Sequence, residues 1–366
     1  MDNKLNMKRV LKTAGAFIAW VIGSGFATGQ EVLQFFSSYG YISYAVVLIN
    51  LAGFVAIGYL LMRTGYENRN TEQFNHFRYF CGKKIGAFYT GLITATLMLL
   101  IPVLVAGAGA TLYEYYRINP YIGSAIMATL VLVAYLIGFE RMIKIVSSLG
   151  PIIIAFSLSV GIITLFMSRG NWAKIPSYES TLAPYHAAPH WILSGLLYLG
   201  LNFFPGSTYF TQLGVAASSK KELKYGAVLG GTVLILSITV MNTAIMLNGN
   251  ATAGVDIPVL YLARKIAYIF GAIFSIVLVL GIFSSCSVMM WSVCSRFAFK
   301  KKKWNAYCAI GVAVFSYLVS LLSFGKLIGT IYPLIGYIGL VFIACVFYKG
   351  VKRKNKPISI CRDKKI

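Results

Sequence analysis

Three short clusters carry whatever chemistry this chain can perform, and each sits in apolar sequence. Gly23-Ser24-Gly25 interrupts the apolar stretch 14–28, and Gly29-Gln30-Glu31 follows directly. Asn202 stands three residues before Pro205-Gly206 in a second apolar stretch, beside Tyr198, Gly200 and Phe203. Gly281, Ser284 and Ser285 fall at i, i+3 and i+4, so one carbonyl and two hydroxyls share a helix face. No Ser-His-Asp, HExxH, P-loop or GxGxxG arrangement stands in a suitable context, so catalysis is not the chemistry on offer. What these clusters offer is main-chain and hydroxyl oxygen, together with backbone N–H.

Glycine pairs free the backbone, and proline removes a donor and crowds the preceding turn. In lipid an unmatched N–H or C=O costs several kcal/mol, so unwound backbone survives only against protein or a polar cavity. An interrupted helix presents N–H groups that suit a carboxylate and carbonyls that suit sodium or an ammonium group. An amino acid zwitterion has both ends. Gly23, Ser24, Gly25, Tyr198, Asn202, Phe203, Pro205 and Gly206 are therefore the candidate substrate-binding residues. Gly281, Ser284 and Ser285, with carbonyls from the first break, are candidate sodium ligands. Tyr198, Phe203, Phe204 and Tyr209 could line a pocket for an apolar side chain, or simply pack.

The elements that must position these residues are membrane helices. The chain is 58% hydrophobic and 12% charged, against about 25% charged in a soluble domain. At roughly 20 residues per span, the hydropathy predicts ten helices, near 12–38, 41–62, 85–113, 121–139, 142–168, 190–213, 223–248, 262–297, 304–323 and 327–348. They fall into two sets of five, offset by about 180 residues. Five is odd, so the sets run oppositely through the membrane, with the two interrupted helices, the first and sixth, at equivalent places. The expectation is an all-α polytopic membrane protein of ten transmembrane helices in a 5+5 inverted repeat, helices 1 and 6 discontinuous. It forms one transmembrane domain over 1–366, with repeats at about 12–168 and 190–348 and a basic tail at 349–366. Pro102 and Pro333 read as ordinary kinks.

Charge gives the orientation. On this topology 27 of the 33 Lys and Arg fall on one face, which the positive-inside rule makes cytoplasmic, with both termini. The net charge of +23 then marks topology and contact with anionic lipid, at Lys300–Lys303 and in the tail, rather than nucleic acid. The six cysteines lie in spans or on the cytoplasmic side without CxxC spacing, so free thiols and no metal site are expected. The basic start before an apolar run imitates a signal peptide, but its glycines favour a retained helix. His186 and His190 read as interfacial. Oligomeric state leaves no mark.

Glu31 is the only acid inside an expected span. On a continuous helix it would lie ~9 Å beyond Gly25 along the rise, in the outer half of the membrane. It could carry a proton, or act as an outer-gate acid paired with Lys326 at the start of the tenth span. A single intramembrane acid argues against polyamines and cationic amino acids as substrates.

Taken together, the five-plus-five spans, the Gly-Ser-Gly break, the N-x-x-P-G break and the Ser-Ser pair resemble the leucine-transporter fold. The stretch VIGSGFATGQEVLQFF is most similar to the YkvI-like amino acid permeases of the amino acid–polyamine–organocation superfamily, and the resemblance covers nearly the whole chain. It implies alternating access, with substrate between helices 1, 3, 6 and 8. It also implies a sodium site at the carbonyls around Ala19 and Ile22 with Ser284 and Ser285. Proton-driven relatives can place a lysine from helix 5 where sodium would sit; the fifth span, IVSSLGPIIIAFSLSVGIITLF, has none. The reading is a secondary active transporter in the cell membrane, a sodium- or proton-coupled symporter of an amino acid or similar small zwitterion, with no cofactor beyond the coupling ion. The alternative is a germination-receptor-like, nutrient-sensing subunit of the same fold that binds without transporting. A membrane enzyme is disfavoured.

Overall fold

The computed structural model describes residues 6–71, 74–137, 149–297 and 302–352. Lys300, Lys301, the start of the expected fifth span, most of the basic tail and the side chains of Ser24, Lys302 and Lys303 lie outside the described residues. Among the described residues thirteen helices carry the fold: α1 (Met7–Val21), α2 (Ser24–Thr28), α3 (Gln30–Phe35), α4 (Ser43–Glu67), α5 (His76–Tyr116), α6 (Pro120–Ile137), α7 (Leu149–Met167), α8 (Trp191–Val215), α9 (Lys220–Met246), α10 (Pro258–Ile266), α11 (Tyr268–Arg296), α12 (Lys302–Val319) and α13 (Phe324–Lys352). Short 3-10 segments and single turns fill the loops at 37–42, 169–185 and 249–252.

Among the described residues, six helices are long and apolar enough to cross a membrane, and seven if the segment bent by 95° after Met167 is one span. The expectation of ten is met only in part. α1–α3 are separate pieces, the apolar part of α12 is only sixteen residues long (Trp304–Val319), and α8 carries Asn202, Pro205, Ser207, Thr208, Thr211 and Gln212. The expected eighth span, 262–297, is also divided: Ala267 is extended (φ −158°, ψ 142°), which separates α10 from α11.

The first span is interrupted as its glycines predict, and then a second time. Ile22 (φ −80°, ψ 73°) closes an inverse γ-turn, with the Gly23 N–H donating to the Val21 carbonyl at 2.9 Å. That donor would otherwise serve the Ala19 carbonyl one turn back. α2 then lasts five residues, until Gly29 adopts the left-handed region at φ 84°. A Cβ at Gly29 would also fall 2.6 Å from Val259 Cγ2, so only glycine makes this turn here.

The sixth span corrects an expectation. α8 runs unbroken from Trp191 to Val215 with Pro205 inside it. Neighbours cover the backbone there: the Trp20 indole N–H donates to the Asn202 carbonyl (3.1 Å), and the Asn202 amide donates to the Tyr198 carbonyl (2.9 Å). Ser207 and Thr211 donate to the Phe204 and Ser207 carbonyls at 2.8 and 2.7 Å. A proline in a membrane helix bends rather than divides it when side chains cover the backbone in this way.

Glycines bring the helices around α8 into main-chain contact. A Cβ at Gly65 or Gly214 would lie 1.9 or 1.8 Å from the Thr211 or Met62 carbonyl oxygen, joining α4 to α8. One at Gly200 or Gly339 would lie 2.3 or 2.2 Å from the Gly336 or Gly200 carbonyl oxygen, joining α8 to α13. Small residues do this in membranes because close packing, not water exclusion, holds helices together there. One hydrophobic core runs through all these elements, with Phe17, Phe54, Phe203, Phe210 and Phe342 fully buried.

Candidate functional site

A cavity of about 110 Å³ lies where the α1–α2 break meets α5, α8, α11 and α13. The broken span supplies Trp20, Val21, Gly23, Gly25 and Glu31, and α5 supplies Leu100 and Leu104. α8 contributes Leu201, Asn202 and Pro205, α11 Ser285 and Met289, and α13 Tyr332. Of the candidate residues, Gly23, Gly25, Asn202, Pro205, Ser285 and Glu31 meet in one place although they come from three separate stretches of sequence.

Others do not reach it. Tyr198 is fully buried behind the cavity, its ring 4.9 Å from Phe36 and 5.4 Å from Phe35. Phe203 points into the core between Phe54 and Phe210, both at 5.1 Å, so it lines no pocket for a ligand's side chain. Gly206 lies under the Trp20 indole, whose Nε1 would be 2.4 Å from a Cβ there. Gly281 faces α7, where a Cβ would meet Ile153 Cδ1 at 2.3 Å. Ser284 is half-buried and not part of the lining, Ile22 is buried, and Ala19 is exposed. The Ala19 carbonyl loses its helical donor to the Gly23 turn, and of the two serines only Ser285 reaches the cavity.

Glu31 and Lys326 are not paired; the expected gate is corrected. The left-handed turn at Gly29 ends the first helical run and starts α3 in a new direction. The Glu31 carboxyl therefore comes back to the break instead of standing ~9 Å above it. Its Oε1 lies 1.8 Å from where a Cβ of Gly25 would be, and the Tyr332 hydroxyl 3.2 Å from the same point. The carboxyl, 8% exposed, faces Tyr332. Tyr198 presents its hydroxyl from behind, near Glu31 and Asn202, but closes a hydrogen bond with neither.

Neighbouring positions on α3 point elsewhere, because successive helical residues are turned by about 100°. Gln30 and Gln34 face an outer cavity of about 450 Å³ that also holds Lys326, His186 and Asp256. There the Gln34 amide donates to the Gly325 carbonyl (3.2 Å), and the Gly325 N–H donates to Asp256 Oδ1 (3.1 Å). Burial pushes the Asp256 carboxyl above the usual carboxylate range, and the Gly325 N–H opposes this. Tyr39 stacks on His186 at 4.2 Å and exchanges hydrogen bonds with Ala188, so the outer loops are tied down on α3's flank. His186 is thus part of this outer packing, while the His190 ring accepts the Ile192 N–H.

Sequence reasoning missed Trp20, Val21, Leu100, Leu104, Leu201, Met289 and Tyr332 in the lining. The leucines and methionine carry no mark that separates a cavity wall from core. Tyr332 did: it precedes Pro333 in an apolar span, where a polar tip beside a kink is worth weighing.

No family model matches the chain. It is 26% identical over 349 residues to the uncharacterized membrane protein YkvI of Bacillus subtilis, covering 93% of this chain and 96% of that one. It is 23% identical over 358 residues to the uncharacterized protein YyaD of the same organism, covering 96% and 99%. Among solved structures it resembles MhsT in complex with L-phenylalanine (TM-score 0.57, 14% identity, 93% of this chain and 87% of that one). It also resembles the Eremococcus coleocola manganese transporter bound to an aromatic bis-isothiourea compound (TM-score 0.53, 14% identity, 96% and 80%). The chain has the leucine-transporter fold of these membrane transporters, and its full-length relatives include a membrane protein.

Proposed function

We propose that this protein is a secondary active transporter of an amino acid or similar small zwitterion, working by alternating access in the cell membrane as a YkvI-like permease. The observation that carries the proposal is the cavity at the α1–α2 break, lined from five helices and placed at an interrupted span. Interrupted helices of this kind bring main-chain polar groups to a substrate without spending formal charges. The volume suits a small solute: about 110 Å³ compares with the ~150 Å³ of an engineered cavity that admits benzene. Leu100, Leu104, Leu201 and Met289 make most of the wall apolar, which suits a short aliphatic side chain.

Transport is coupled to an ion gradient in symport. Sodium would use the Ala19 and Ile22 carbonyls with Ser285; a proton would use Glu31. The inverted five-plus-five arrangement, the cytoplasmic termini and the anionic-lipid contacts belong to this reading, supported by the distribution of lysine and arginine. The test is uptake of labelled amino acids into proteoliposomes under a sodium gradient, a proton gradient or neither. Accumulation under one gradient and not the other identifies the coupling ion. Saturable binding without accumulation under any condition would instead identify a receptor-like subunit.

A further inference from the structure

The central cavity contains one formally charged side chain, and it is negative. Glu31 rests on the Cα of Gly25, beside the Tyr332 hydroxyl, and no lysine, arginine or histidine among the described residues forms an ion pair with it. The rest of the wall is mostly apolar. A carboxylate held this way lacks the counter-charge that burial demands. A cationic ligand group supplies it, whereas a ligand carboxylate placed there would meet a like charge. A divalent metal is a poorer match, because it calls for several anionic or oxygen ligands. No group of three His, Cys, Asp or Glu able to hold a metal occurs among the described residues.

We infer that Glu31, seated on Gly25, is the group that receives the ammonium end of the transported molecule, so that the substrate class is primary amines, with or without a carboxylate. This rests on the central cavity being the transport site. Gly25 has a defined part in it: any side chain there displaces the carboxyl, since even a Cβ would lie 1.8 Å from Oε1. Gly15, ten residues earlier in the first span and outside the lining, has open space around a Cβ and serves as the control. The role differs from a gate, because a gate acid would touch Lys326 rather than the lining of the inner cavity.

The test uses the purified full-length protein and matched triads of an amino acid, its decarboxylated amine and its deaminated acid: L-alanine, ethylamine and propionate; L-leucine, isoamylamine and isocaproate. Thermal shift titrations give apparent affinities, with sodium chloride and manganese chloride titrated separately. The amino acid and the amine of at least one triad stabilise the wild type, and the acid does not. Glu31→Gln and Gly25→Ala weaken both ligands by roughly tenfold to a hundredfold, the scale of one hydrogen-bonded charge, while Gly15→Ala leaves them unchanged. Glu31→Asp, which keeps the charge, recovers part of the affinity and guards against a variant that fails to fold. The inference is overturned if the deaminated acid binds as well as the amine, if Glu31→Gln retains amine affinity, or if manganese alone depends on Glu31. Amino acid uptake with unchanged affinity in Glu31→Gln would remove the inference and leave the transporter proposal standing. A wild type that neither binds nor accumulates any triad member would remove both.

Discussion

The first span and the sixth carry similar helix-breaking residues and end in opposite states. Gly23-Ser24-Gly25 yields a true interruption, with a γ-turn at Ile22 and a new helix at Ser24. Asn202 to Gly206 yields an unbroken helix. The difference lies in who covers the backbone. At Pro205 the partners are at hand: Trp20 from the first span, and Asn202 and Ser207 from the helix itself. At Gly23 the chain resolves its donor locally, on Val21, and the Ala19 carbonyl loses its helical partner. A breaking residue states that a helix can open; only the neighbourhood decides whether it does.

Four substitutions break or sharpen this comparison. Gly25→Leu has the largest expected effect, because the new side chain must occupy the space of the Glu31 carboxyl. Proteoliposome uptake normalised to inserted protein should fall to background; retained uptake would show that the break is not the site. Trp20→Phe comes next. It removes the indole's bond to the Asn202 carbonyl beside Pro205, a net loss of about 0.5–1.5 kcal/mol. Faster hydrogen exchange across residues 202–206 would report the sixth span opening. Unaltered exchange would mean the indole is not what keeps α8 whole.

Pro205→Ala should do much less. A helix that is already continuous gains one N–H and loses little, so folding stability should stay the same or rise by up to about 1 kcal/mol. A marked fall in thermal midpoint would argue that the proline sets the shape of the site. Gly23→Ala is the mildest. Its backbone (φ −102°, ψ −163°) is open to any residue and a Cβ meets nothing within 4 Å, so the stability change should stay within about 0.5 kcal/mol. On this account the fold accepts a Cβ at the first of the two glycines and not at the second, and a reversal of the Gly23 and Gly25 effects would overturn it.

Much of the architecture could be read from the chain because it depends on local composition. Apolar runs of membrane length, the glycine-weakened first span and the crowding of lysine and arginine on alternate loops need no tertiary information. The outcome at Pro205 could not be read, since it turns on an indole 182 residues away in sequence. Glu31 stands out in the sequence, but its carboxyl returns to the Gly25 break rather than standing a helical rise beyond it. Its position depends on the left-handed turn at Gly29, and a glycine in sequence does not announce which region of φ it will take. The eighth span looked whole for a related reason: nothing in Ile266-Ala267-Tyr268 marks the extended residue that divides α10 from α11.

The glycine contacts that press α4, α8 and α13 together main chain to main chain leave no slack for sliding between them. Those three helices form one close-packed block. The pieces of the first span are joined instead through single residues, Ile22–Gly23 and Gly29, and these are the only hinges within that span. On the proposed transport function, a cycle would be the swing of this jointed arm against that block, with Glu31, mounted beyond the second joint, carried by the arm.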